Sequence, residues 1–313
     1  MDARSLDSYD CGASSAIAKP LFPIPPRAVK TMPAMPNTDA LHTPIELPRL
    51  KNASMLLAFT GWMDGGEVST GTVRNLLSNL AAEEIADIDP EPFYIYNFPG
   101  SMEIAALFRP EVKYTDGVIT QFEMPQNRFY VDRERNIVLF LGKEPNLRWR
   151  DFADCVFDVA QRVGVSRMFF VGSFGGSVPH TREPRLFASV SREALKDDLR
   201  KFGVRFTDYE GPASFATYLL VRAAEHKLDM ISLAAEIPAY LQGANPLSIE
   251  AVTRRLNNIL GLHVDLAPMR LASDEWEATI SGMVAEDKKL ANQIRKLEEE
   301  YDRDLLEHSE HAE

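Results

Sequence analysis

Thiols, imidazoles and positive charge are all scarce in this 313-residue chain. Its two cysteines, Cys11 and Cys155, are far apart. They offer neither a disulfide framework nor a zinc spacing, so a reducing cytoplasm is the expected setting. The six histidines (42, 180, 226, 263, 308 and 311) include no HExxH and no paired spacing, so neither a metal nor a cofactor is expected. Lys and Arg total 34 against 46 Asp and Glu, for a net charge of −12. No broad basic field exists to hold phosphates, which argues against nucleic acid and anionic membrane as partners. No apolar run reaches the roughly 18 residues of a membrane span. The N-terminus lacks a charged segment followed by a continuous apolar one, so a signal peptide is not expected.

What is present is ordinary for a globular protein: 45% hydrophobic and 26% charged residues. The length suffices for a full core plus appendages. Residues 1–48 hold eight of the twenty prolines, a spacing that forbids helices and central strands. They are read as a flexible arm with a small apolar anchor at Leu21, Phe22 and Ile24. A body over 49–270 follows. Strands are expected at 55–59, 93–98, 117–122, 127–132, 137–141, 168–171, 204–207 and 231–235. Helices are expected at 67–80, 149–163, 192–202, 214–226 and 249–260. Their alternation implies a three-layer α/β/α fold with a mainly parallel sheet. The tail 271–313 is expected to be an acidic amphipathic helix, with ten acids against five bases over 285–313. It would either pack back on the body or pair with another copy, although Asp287 and Asp304 interrupt its apolar seam.

Two glycine-rich stretches follow expected strands, and ligands of open α/β sheets sit beyond the carboxyl ends of strands. The first is Gly61-Trp62-Met63-Asp64-Gly65-Gly66. Its main-chain amides at a helix N-terminus can hold an anion; equally, Asp64 caps the helix and the glycines form a tight turn. It contains neither GxGxxG nor a phosphate-loop Gly-Lys-Ser/Thr. The second, read as a turn, runs from Gly172 through Gly175 and Gly176 to Val178-Pro179-His180-Thr181-Arg182. Ser173 does not form a nucleophile elbow. His180 suits acid–base work and Arg182 suits a carboxylate or phosphate, but no local partner completes a catalytic set. Arg109, before Pro110, and Glu210, before a helix entry, complete the candidates. Each has a plain structural alternative: an ion pair for Arg109, a turn for Glu210.

Five stretches in order resemble the proteasome-assembly-chaperone-two family, especially its bacterial branch. They are the 61–66 turn, Asn97 through Arg109-Pro110, Val178 to Arg182, Gly211-Pro212-Ala213-Ser214-Phe215 and Ile237-Pro238-Ala239-Tyr240-Leu241. Val178 to Arg182 is the most specific match. The chain departs from the pattern at Met63, Gly65 and Ala239, and it ends without the hydrophobic–Tyr–any-residue signal that docks some proteasome partners. The resemblance implies a phosphorylase/hydrolase-like α/β/α fold, a tendency to oligomerise, and a role in binding or assembling other proteins. The resulting expectation is a cytoplasmic homo-oligomer with a protein partner, more a binding protein than an enzyme. The alternative is an enzyme or small-molecule binder, with a pocket between the 61–66 and 172–182 turns where His180 and Arg182 face Asp64.

Overall fold

A computed structural model describes residues 36–310, with the side chains of 308–310 left aside. The expectations for 1–35, including the apolar anchor, and for Cys11 lie outside the described residues. The elements in chain order are β1 (Leu41–His42), β2 (Ala53–Thr60), α1 (Val68–Asn79), β3 (Glu83–Ile88), α2 (Met102–Ala106), β4 (Glu111–Thr115), β5 (Val118–Glu123), β6 (Arg128–Asp132), β7 (Ile137–Lys143), α3 (Trp149–Val163), β8 (Val165–Gly176), β9 (Leu186–Val190), α4 (Lys196–Arg200), β10 (Arg205–Phe206), α5 (Phe215–Ala223), β11 (Asp229–Pro238), α6 (Pro246–Leu260), α7 (Ala267–Glu286) and α8 (Lys288–Glu310).

Nine strands form one sheet in the order β1-β3-β6-β7-β2-β8-β11-β9-β10. Its centre, β7-β2-β8-β11, is parallel throughout, while β1, β3 and β6 flank one side with antiparallel pairings. The central strands are near-continuous apolar runs because both of their faces are covered. Alternate residues serve opposite layers. Met55, Leu57, Met168 and Phe170 pack with α3 and α5. Leu56, Ala58, Phe169 and Val171 pack with α1 and α6. The result is the three-layer α/β/α arrangement with additional C-terminal helices.

Several elements differ from the sequence reading. Residues 93–98 form turns and loop, not a strand. Phe93 and Tyr94 are consecutive and both buried in the same core, and the Phe93 carbonyl accepts from the amides of Asn146 and Leu147. The strand in this region is β3, whose exposed Glu83 and Glu84 disguise it. The glycines at 172–176 do not turn the chain. β8 runs through them to Gly176, because β11 pairs with it residue by residue as far as Pro238 opposite Gly176. Strand β9, parallel to β10 and antiparallel to β11, escaped the sequence reading. The 192–202 helix is reduced to a 3-10 turn and the five-residue α4. Residues 36–48 join the body: β1 pairs with β3, and Leu47 is buried. The tail is two helices broken at Asp287, whose φ is −110° and ψ 103°.

Geometry requires glycine at position 164. Gly164 ends α3 at φ +91°, and a Cβ there would lie 2.4 Å from the Leu50 carbonyl oxygen. The same junction carries the Leu50 amide to Val163 O and the Ala53 amide to Gly164 O. Gly164→Ala therefore combines left-handed strain with a backbone collision. It is expected to lower unfolding free energy by at least about 2 kcal/mol, measured by denaturant titration.

Candidate functional site

Parallel pairing sends the loops after β2, β7, β8 and β11 out at one rim of the sheet. The 61–66 turn and the end of β8 are direct neighbours there. Ser173 donates its amide to Met63 O at 2.8 Å and its hydroxyl to Gly65 O at 2.6 Å, and Asp64 and Ser173 form a parallel bridge.

Asp64 faces α1. Its carboxylate accepts from the Thr70 amide at 3.0 Å and the Thr70 hydroxyl at 2.8 Å, so it satisfies a first-turn amide from three residues before the helix cap position, across a 3-10 turn. Burial pushes its pKa up to about 6, against the opposing pull of the Thr70 bonds. Gly66 adopts φ +62°, and a Cβ there would come within 2.9 Å of Asn245 Cβ. Asn245 donates its amide to Gly66 O at 2.8 Å and caps α6 by accepting from the Ser248 amide at 3.0 Å. Gly61 closes the turn with its carbonyl on the Asp64 amide. Trp62 is 61% exposed at the rim.

A carboxylate that sequence reasoning passed over ties this rim together. Glu144, just beyond β7, accepts from the Trp62 amide at 3.2 Å and the Phe215 amide at 2.8 Å. Its own amide donates to Thr60 O at 2.9 Å. The signal available was position alone: an acid directly after a buried strand. The neighbouring void between Phe59, Met63, Phe170 and Ser214 measures about 10 Å³, too small for a ligand.

His180, Thr181 and Arg182 face the C-terminal helices instead of Asp64. His180 is 1% exposed. Its amide donates to Tyr240 Oη at 2.8 Å, its Nδ1 lies 2.8 Å from the same oxygen, and its Nε2 lies 3.2 Å from Ser281 Oγ on α7. A neutral ring satisfies both side-chain contacts, and burial lowers its pKa, partly offset by the charge of Glu298. Thr181 donates to Glu298 at 2.5 Å. Arg182 grips Asp302 of α8 through both carboxylate oxygens, at 2.9 and 2.8 Å. Near the end of β8, Gly175 lies against Ala239 and Gly176 against Glu236. Glu236 accepts from the Ser177 amide at 2.8 Å and pairs with Arg185 at 2.9 Å.

The two remaining candidates stand apart. Glu210 is exposed in the loop before α5. Arg109 is exposed beyond α2, with Asn97 Oδ1 at 3.5 Å. The 61–66 and 172–176 stretches are thus adjacent, but the side chains of Asp64, His180 and Arg182 do not converge. Among the described residues, no group of three or more His, Cys, Asp or Glu side chains is placed to hold a metal, and no helix is long and apolar enough to cross a membrane.

Comparison with known proteins gives a consistent picture. The PAC2 family model matches residues 58–284, from within β2 to the last turn of α7, leaving α8 beyond the match. A Mycobacterium tuberculosis protein of unknown function shares the fold at TM-score 0.77 and 22% identity, covering 90% of this chain and 95% of that one. A proteasome-assembly chaperone homologue from the same organism is 29% identical, at TM-score 0.67, over 77% of this chain and 99% of that one. A PAC2 family protein from Streptomyces avermitilis is 26% identical, at TM-score 0.64, over 77% and 98%. A search of curated proteins finds no match.

Two measurements check the structural roles of these groups. A buried loop histidine with two side-chain contacts is a strut, so His180→Ala is expected to cost about 2 kcal/mol, by denaturant titration near neutral pH. Asp64 has its folded pKa above the ordinary value of 3.8. Its contribution is therefore full below pH 3.8 and lost as pH rises through about 6. Asp64→Asn keeps an acceptor for the Thr70 amide and removes that titration. Its stability relative to wild type should climb across this window and then level off; a difference independent of pH would refute the assignment.

Proposed function

We propose, because the chain belongs to the PAC2 family, that it is an assembly-chaperone-like protein that acts by binding other protein chains, works in the cytoplasm, and does so as a homo-oligomer. The observation that carries this reading is the excursion between β3 and β6. All residues of β4 and β5 are exposed. Phe98, Met102, Ile104, Leu107, Val112, Tyr114, Val118, Ile119 and Phe122 present large apolar side chains to solvent within 25 residues of chain. A lone two-stranded ribbon is marginal in water, and a gathering of exposed apolar side chains on one marks protein contact sites. The M. tuberculosis relative described as a proteasome-assembly chaperone homologue supports the same class of activity. So does the engagement of His180 by Tyr240 and α7, which makes it part of a scaffold.

Ile119→Lys with Phe122→Lys is the direct test. Both positions are exposed, so the unfolding midpoint should move by no more than the equivalent of about 1 kcal/mol. The mass in light scattering should fall to that of one chain. An unchanged mass, with undiminished capture of partners from native lysate, would remove the ribbon from the interaction surface.

A further inference from the structure

Beneath α8 lies a concentration of positive charge that the overall composition hides. Arg182 and Arg185 come from the segment between β8 and β9, and Arg205 from β10. All three meet α8. Arg182 holds Asp302. Arg185 and Arg205 share Asp304 at 2.8 and 2.9 Å. The Arg185 guanidinium stacks 4.4 Å from the centroid of Tyr301, whose hydroxyl donates to Glu183 O at 2.9 Å. Arg185 also holds Glu236, the one acid of the body that pairs with these three arginines in the described contacts. A groove of about 530 Å³ continues alongside, lined in part by Arg255 and Leu305.

The grip on α8 is largely ionic. Of the α8 side chains described, Ile294 and Tyr301 are buried, while Asp302 and Asp304 remain partly open to water. Such contacts weaken with salt. The connection to α7 is a single residue, Asp287, whose carboxylate caps α8 by accepting from the amides of Lys289 and Leu290 at 2.8 and 3.1 Å. If Asp287 became helical, α8 would continue the axis of α7 and carry its end roughly 35 Å outward. Arg182, Arg185 and Arg205 would then face solvent with Glu236 as counter-charge.

We propose that this arginine groove is a docking surface for an acidic helical segment of a protein partner, and that α8 is its internal occupant, a latch that swings away at Asp287 to admit the partner. The proposal rests on the protein-binding reading above and deepens it. The occupant's chemistry is taken from α8 itself: carboxylates spaced to meet three arginines, with an aromatic ring just before them for Arg185. A helix presenting that set matches the groove; an apolar helix does not.

The test uses the full chain and a fluorescent synthetic peptide carrying residues 288–307. Asp302→Asn with Asp304→Asn opens the latch. Asp287→Ala opens it by a second route that leaves the groove untouched. Both opened variants should bind the peptide at least about ten-fold more tightly than wild type, because the internal competitor is weakened, and added salt should reduce binding. Adding Arg182→Glu and Arg205→Glu to either variant should abolish binding while circular dichroism stays unchanged. Equal binding to wild type and opened chains, or binding that survives the arginine changes, overturns the proposal. If Arg182→Glu alone lowers the mass of the wild-type oligomer, the groove belongs to α8 of a second copy and the partner assignment falls. Loss of the groove in this assay with the ribbon variants still defective in partner capture would leave the proposed function standing, and the reverse pattern would do the opposite.

Discussion

Parallel pairing of β7, β2, β8 and β11 is the constraint on which the rest of the molecule depends. Four strands pointing the same way must deliver their following loops to the same rim; the chain then returns as helices α1 and α3 after β2 and β7, and as the antiparallel strand β9 after β8. Glu144, the 61–66 turn, Ser173 and the 238–245 segment therefore meet although they are far apart in the chain. The meeting is held by main-chain groups. Ser173 donates to Met63 O, Asn245 to Gly66 O, and Glu144 receives the amides of Trp62 and Phe215.

The polar side chains at and beside this rim are used up in bracing it. Asp64 answers the first turn of α1, His180 links Tyr240 to α7, and Glu236 joins the Ser177 amide to Arg185. An unpaired group in such surroundings would carry a large desolvation cost, and Asp64, Glu144 and Glu236 each meet a donor. The contacts proposed above use two other kinds of surface: the apolar ribbon of β4 and β5, and the arginine groove that α8 covers. The first is suited to burying area, the second to recognising charge.

Much of this was legible before any coordinates, for identifiable reasons. The buried strands 55–59 and 168–171 read as continuous apolar runs because both sheet faces are covered, and the helix 149–163 reads as periodic because one of its faces is apolar. The glycine-rich stretches after two buried strands pointed to the carboxyl rim. Three things were not legible. Glycines at 172, 175 and 176 look like a turn, yet ladder bonds to β11 hold them extended. Glu83 and Glu84 hide β3 because that end of the strand faces water. The interruptions at Asp287 and Asp304 were visible in the tail, but not that one would end α7 and cap α8 and the other would be a counter-ion for two arginines.

Local pattern thus determined the class of fold, the layers, the family likeness and the neighbourhood in which polar groups would gather, because periodicity and turn chemistry act over a few residues. Which of those groups would face one another was decided by tertiary structure alone. Asp64 and Arg182 lie 118 positions apart in the chain, and nothing in their local sequence states that one turns to α1 while the other reaches 120 residues onward to Asp302. Pairing of charges depends on distance in space, and that distance exists only once the sheet, its flanking helices and the returning tail are assembled.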